Sequence, residues 1–68
     1  MHEETFNLSI RKFLKIVGIN SQREIELAVR KALENGLIDG SETFPATVTL
    51  EVTGLNLNFK IDGEIKLQ

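Results

Sequence analysis

Few side chains of this 68-residue sequence have the type and the neighbours needed for acid–base or nucleophilic chemistry. The only histidine is His2, and histidine is the residue that most often exchanges protons near neutral pH. A catalytic histidine needs a fixed orientation and a partner, whereas residues next to a chain terminus tend to fray. We therefore expect His2 to be a solvated terminal side chain.

The three serines also lack the surroundings of a nucleophile. Ser9, Ser21 and Ser41 have no histidine in a credible relay, and none lies in a Gly-x-Ser-x-Gly turn. Ser21 has another role, because the run from Ser21 to Glu24 has the spacing of a helix capping box. A serine hydrolase is therefore not indicated.

Acidic and glycine-containing segments read as turns. The segment 39–42, Asp-Gly-Ser-Glu, lacks the ligand spacing of a calcium loop and is typical of a polar turn. Asp62-Gly63 is likewise explained as a turn. The sequence has no glycine-rich phosphate loop, no P-loop lysine and no dinucleotide fingerprint. We predict no catalytic residue, no bound cofactor and no metal site.

Composition limits how so short a chain is stabilised. It has no cysteine, which excludes disulfides and thiolate metal sites, and a chain of this length buries only about 60% of its unfolded surface. Oligomerisation is the remaining support. With no cysteine, no export signal and no long apolar run, we expect a soluble cytoplasmic protein without a membrane span.

A basic cluster on the helical part makes nucleic-acid binding an alternative hypothesis. Helix, short turn, helix and β-hairpins form a pattern similar to a small winged helix. Three features argue against this alternative. A winged helix usually has another helix before the pair, and this chain has no room for one. Glutamates dilute the basic face, and residues 37–68 carry a net charge of −3. We expect nucleic acid to be the less favoured partner. The candidate contact residues are Arg11, Lys12, Lys15 and Arg23.

Exposed apolar side chains favour a protein partner instead. Leu8 lies about 160–200° around the first predicted helix from its apolar stripe. Leu27 lies off the apolar stripe of the second predicted helix, and Ile16 flanks the stripe of the first. Leucines exposed on two neighbouring helices are typical of a protein-binding patch. Leu8, Leu27 and Ile16 are therefore the candidate interaction residues, with a second copy of the chain or an unknown protein as partner.

Apolar periodicity predicts two helices. Phe6, Ile10, Phe13, Leu14 and Val17 form one stripe over residues 3–17, and Gly18 is placed as a left-handed helix stop. A second helix begins at Ser21 and ends at Gly36. Its stripe comprises Ile25, Ala28, Val29, Ala32 and Leu33.

The second half alternates as strands do. Residues 39–44 are predicted as a loop and 46–53 as a strand with Val48, Leu50 and Val52 on one face. A two-residue loop at Thr53-Gly54 would pair Val52 with Leu55, Leu50 with Leu57 and Val48 with Phe59. We favour a bulged turn at 61–63 and a third strand at 64–68. The competing interpretation is one long strand running through 62–63.

The beginning of the chain, residues 1–15, together with 21–26 and 61–65, resembles a family of short bacterial proteins classed as a domain of unknown function. The resemblance covers essentially the whole chain. It implies a free-standing bacterial cytoplasmic protein and carries no activity, cofactor or catalytic residue.

These observations predict one α+β domain spanning residues 1–68. Two N-terminal amphipathic helices pack on a C-terminal antiparallel β-meander of two or three strands, an ααβββ order. The expected function is that of a small non-enzymatic protein-interaction module that forms a homodimer, and the alternative is a winged-helix-like nucleic-acid-binding protein.

Overall fold

A computed structural model describes all 68 residues, as one helix followed by two strands. Helix α1 spans Glu3–Glu34, strand β1 spans Thr43–Val52, and strand β2 spans Leu57–Lys66, with a short 3-10 turn at Thr53–Leu55 between the strands. The chain divides into two units, Met1–Leu37 and Ile38–Gln68. The predicted fold of two helices and two or three strands is therefore wrong.

The helix continues through the segment predicted to separate two helices. A glycine inside a helix costs about 1 kcal/mol relative to alanine, which disfavours Gly18 but does not stop the helix. Asn20 donates its amide to the carbonyl of Ile16 at 2.8 Å and accepts from Arg23 at 2.8 Å. Ser21 lies inside α1, so the capping box that it was expected to start does not form.

The true ends of α1 carry their own caps. At the start, the Nδ1 atom of His2 accepts from the backbone N–H of Thr5 at 3.3 Å. At the end, Gly36 adopts a left-handed φ of 71°. Its N–H donates to Leu33 at 3.2 Å, and the N–H of Leu37 donates to Ala32 at 3.0 Å. This is the pairing of a Schellman motif, and the prediction that Gly36 ends a helix is confirmed.

The sheet contains two antiparallel strands, and the predicted third strand is absent. β2 runs without interruption through Asp62 and Gly63, which pair with Thr47 and Ala46 of β1. The bulged turn at 61–63 is therefore wrong, and the competing interpretation of one long strand is confirmed. Pro45 lies within β1 opposite Glu64, a position it can occupy because both strands of a two-stranded sheet are edges.

The connection between the strands is longer than the expected Thr53-Gly54 loop. Val52 pairs with Leu57, so four residues connect the strands. Asn56 takes a left-handed φ of 53°, and its N–H donates to the carbonyl of Thr53 at 3.3 Å. Each residue of β1 consequently pairs two positions further along β2 than predicted, as Leu50 does with Phe59.

A register shift of two residues leaves the faces of the sheet unchanged, because side chains alternate with a period of two. One face consists of apolar residues and a glycine, and the other is almost entirely polar. The first comprises Phe44, Ala46, Val48, Leu50, Val52, Leu57, Phe59, Ile61, Gly63 and Ile65. We call this set the apolar ribbon face.

Candidate interaction surfaces

The apolar ribbon face is broad and accessible. Phe59 is 58% exposed and Ile61 is 52% exposed, while Leu50 opposite Phe59 is half-buried. Strands of ten residues each extend about 33 Å. A continuous apolar surface of this extent is typical of a contact site for another polypeptide or packing element. The alternation of residues 46–61 indicated this face, but it was predicted to be core.

Because α1 is unbroken, parts of the two predicted apolar stripes fall on one line, whereas Phe6 and Phe13 lie to one side of it and Val29 and Leu33 to the other. Seven uncharged positions lie within about 80° of the helix circumference and run along most of its length. They are Ile10, Leu14, Val17, Ser21, Ile25, Ala28 and Ala32. We call this set the helix seam. Leu14 is 54% exposed and Ile10 is 40% exposed, and none of the seven is fully buried.

The predicted interaction residues Leu8, Ile16 and Leu27 are exposed, at 63%, 53% and 56%. They lie outside the helix seam. Leu8 and Leu27 were expected to meet on neighbouring helices, but on one helix their 19-residue separation corresponds to about 28 Å along the axis. The structure therefore does not bring the two leucines together.

The predicted nucleic-acid-binding residues share one side of α1. Arg11, Lys12, Lys15 and Arg23 fall within about 120° of its circumference. Arg23 is engaged within the helix, with its side chain 3.9 Å from the carboxylate of Glu24. Glu26 lies inside the same arc, so the positive potential along this side is diluted.

The loop before β1 is organised by its own carboxylates. Asp39 accepts hydrogen bonds from the hydroxyl and the backbone N–H of Ser41, and these bonds lower the pKa of the Asp39 carboxyl. The Glu42 carboxylate accepts from the N–H groups of Asp39 and Gly40, each at 3.0 Å. The interpretation of this segment as a polar turn is confirmed. The groups have internal partners and form no cluster that could hold a metal ion.

His2 is exposed, as predicted, but it has a structural role that sequence reasoning missed. Besides capping the helix, its Nδ1 atom lies 2.9 Å from the hydroxyl of Thr5. The signal was present in the sequence, since Glu3 and Glu4 mark a first helical turn and place residue 2 at the cap.

Comparison with known proteins identifies a family and no function. No helix of the chain combines the length and the apolar composition needed to cross a membrane. Searches of curated proteins and of solved structures found no match. A family model matches residues 1–68, the full length of the chain. The chain therefore belongs to DUF6494, a family of unknown function.

Proposed function

We propose that this protein is a small non-enzymatic interaction module that acts as a homodimer. One observation carries the proposal: although 41% of the residues are hydrophobic, none of the 68 is fully buried. The unburied apolar side chains are concentrated on the apolar ribbon face and along α1. Such surfaces are stable in water when another polypeptide covers them.

The elements themselves support this proposal. A two-stranded hairpin is marginally stable on its own, and most of the stability of a protein helix comes from packing its apolar face.

The test compares one substitution on each face of the ribbon. Leu50→Glu introduces a charge into the apolar ribbon face, and Thr49→Glu introduces the same charge on the polar face, opposite Lys60. Sedimentation equilibrium should give twice the chain mass for the wild-type protein and for Thr49→Glu. Weaker association of Leu50→Glu would show that the apolar ribbon face takes part in the dimer contact, and an unchanged mass would place that contact on α1. A wild-type chain that stays monomeric at high micromolar concentration contradicts the proposed homodimer.

Nucleic-acid binding is the alternative, supported by the shared side of Arg11, Lys12, Lys15 and Arg23. The winged-helix form of this hypothesis required two helices, and the chain has one. Fluorescence anisotropy with mixed duplex DNA and RNA at low salt tests whether the basic side of α1 binds nucleic acid without a winged helix. Binding that weakens with salt and is lost in Lys12→Gln/Lys15→Gln would favour this alternative.

The proposed setting is the bacterial cytoplasm. The chain has no cysteine, which fits a reducing compartment, and the resemblance of residues 1–15, 21–26 and 61–65 to short bacterial proteins also supports this setting. Fractionation of the native cell, followed by immunodetection, tests this part of the proposal.

A further inference from the structure

The helix seam is symmetric about its central residue. Counting from Ser21 toward the N-terminus, the seam residues follow after four, three and four residues; counting toward the C-terminus, the spacings are the same. A two-fold axis perpendicular to α1 at Ser21 therefore superimposes the seam positions of one helix on those of an antiparallel copy. This property belongs to the single helix and would be lost if the helix broke at Gly18.

Side-chain sizes along the seam are complementary under the same symmetry. The antiparallel arrangement places Ile10 against Ala32, Leu14 against Ala28 and Val17 against Ile25, with Ser21 on the axis. Ile10 and Leu14 each meet an alanine, whereas Val17 meets the larger Ile25. No pair combines two alanines or two leucines, so the interface is filled evenly. A parallel, in-register pair would instead place Leu14 against Leu14 and Ala28 against Ala28, crowding one end and leaving the other loose.

The electrostatics also fit a second copy. Ten of the eleven charged residues of α1 lie outside the 80° arc of the seam. The exception, Glu3, lies on this arc but two turns before Ile10, beyond the paired segment 10–32, so pairing desolvates no charge within the seam itself. Antiparallel packing also aligns the two helix dipoles in opposite directions, which is the favourable arrangement.

Because α1 is continuous, the seam segment that faces residues 10–17 must come from another molecule. The large residues Ile10 and Leu14 face alanines only when residues 10–17 lie against residues 25–32. One straight helix cannot bring these two segments together. We propose that the seam is the interface between two copies of this chain, paired as antiparallel helices with the two-fold axis at Ser21. This inference rests on the proposed homodimer and adds the surface and orientation by which it forms.

Cysteine cross-linking of the full-length protein, which has no native cysteine, tests the arrangement. Ser21→Cys places two thiols at the axis, and mild oxidation should convert most of the chain to a disulfide-linked dimer. Ala28→Cys is the matched control, because the antiparallel arrangement separates its two copies by about 21 Å along the axis. It should stay unlinked, while an equimolar mixture of Leu14→Cys and Ala28→Cys should form the mixed dimer.

The outcomes separate the seam from the broader proposal. Linked Ser21→Cys, unlinked Ala28→Cys and a mixed Leu14→Cys/Ala28→Cys dimer support the inference. Linked Ala28→Cys indicates parallel helices and overturns it. A wild-type dimer whose Ser21→Cys form does not cross-link overturns the seam but leaves the homodimer standing, with the apolar ribbon face as its interface. A wild-type monomer in sedimentation overturns both. Circular dichroism of each variant before oxidation establishes that the helix is intact.

Discussion

The hydroxyl of Thr47 donates a 2.9 Å hydrogen bond to the carboxylate of Asp62, directly across the two strands. The bond lies on the polar face and joins β1 to the part of β2 that precedes Gly63. It makes Asp62 a strand residue with a cross-strand partner, which a turn at this position would not allow.

The Thr47–Asp62 bond predicts a measurable register. Cross-strand nuclear Overhauser effects should connect Thr47 with Asp62 and Leu50 with Phe59. Thr47→Val keeps the shape of the side chain and removes the donor, so it should lower the free energy of unfolding by less than about 1 kcal/mol, as expected for an exposed hydrogen bond. Effects linking Lys60 with Glu64 would instead indicate the bulged turn and contradict this register.

Glycine substitutions distinguish a continuous helix from a broken one. Gly18 lies inside α1, and a Cβ atom built there meets nothing within 4 Å. Gly18→Ala should therefore increase stability by about 1 kcal/mol and raise helix content. Gly36 has a left-handed φ of 71°, so Gly36→Ala should decrease stability by about 1 kcal/mol.

Urea denaturation followed by circular dichroism at 222 nm measures both glycine variants. Each serves as the control for the other, because the substitution is the same and only the backbone conformation differs. Destabilisation by Gly18→Ala comparable to that by Gly36→Ala would mean that Gly18 also ends a helix, and it would restore the two-helix interpretation.

The hydrogen bonds from Ser41 predict the titration of Asp39. The Ser41 hydroxyl, followed by the Ser41 N–H, holds the pKa of the Asp39 carboxyl below its ordinary value. Ser41→Ala should raise this pKa toward the usual range of an aspartate, as measured by NMR titration of the side-chain carboxyl. Ser9→Ala, which removes a hydroxyl from the helix, should leave the Asp39 titration unchanged.

The sign of the associated stability follows by linkage. A carboxyl with a lower pKa in the folded state stabilises that state above the unfolded pKa, and the contribution is lost as pH falls through the folded value. The Ser41→Ala difference in stability should thus disappear in acid. A difference that grows as pH falls would contradict the hydrogen-bond origin of the shift.

The faces of the elements and the two outer ends of α1 could be predicted from the sequence, but the continuity of α1 through Gly18 and of β2 through Gly63 could not. The alternation of Val48, Leu50 and Val52 was enough to assign the apolar face, since any even shift in register preserves it. Gly18 and Ser21 each have a local preference worth about 1 kcal/mol for ending or starting a helix. Such preferences are overridden when the segment gains hydrogen bonds inside the helix, as Asn20 does with Ile16 and Arg23.

Two glycine-containing pairs illustrate the same limit in the strands. Thr53-Gly54 and Asp62-Gly63 are both typical of hairpin loops, yet only the first lies at the turn, where Asn56 supplies the left-handed residue. Gly63 pairs with Ala46 in the middle of the ladder. The expected proximity of Leu8 and Leu27 is wrong for a related reason, because the two leucines were placed on adjacent helices, and the chain has a single helix.

Two leucines of α1 provide the most direct comparison of the helix seam with the remaining helix surface. Leu14 lies in the seam and Leu8 lies outside it, and both are more than half exposed in the single chain. If the seam is the dimer interface, Leu14→Ala removes apolar area buried on association, at about 2 kcal/mol per chain. Because both chains of the dimer carry the substitution, the dimer dissociation constant should then rise by up to about a thousandfold. Leu8→Ala removes the same atoms from a surface that stays in water, so sedimentation should show little change. Equal weakening by both substitutions, or a larger effect at Leu8, would place the interface on the side of the helix that carries Leu8, Ile16 and Leu27.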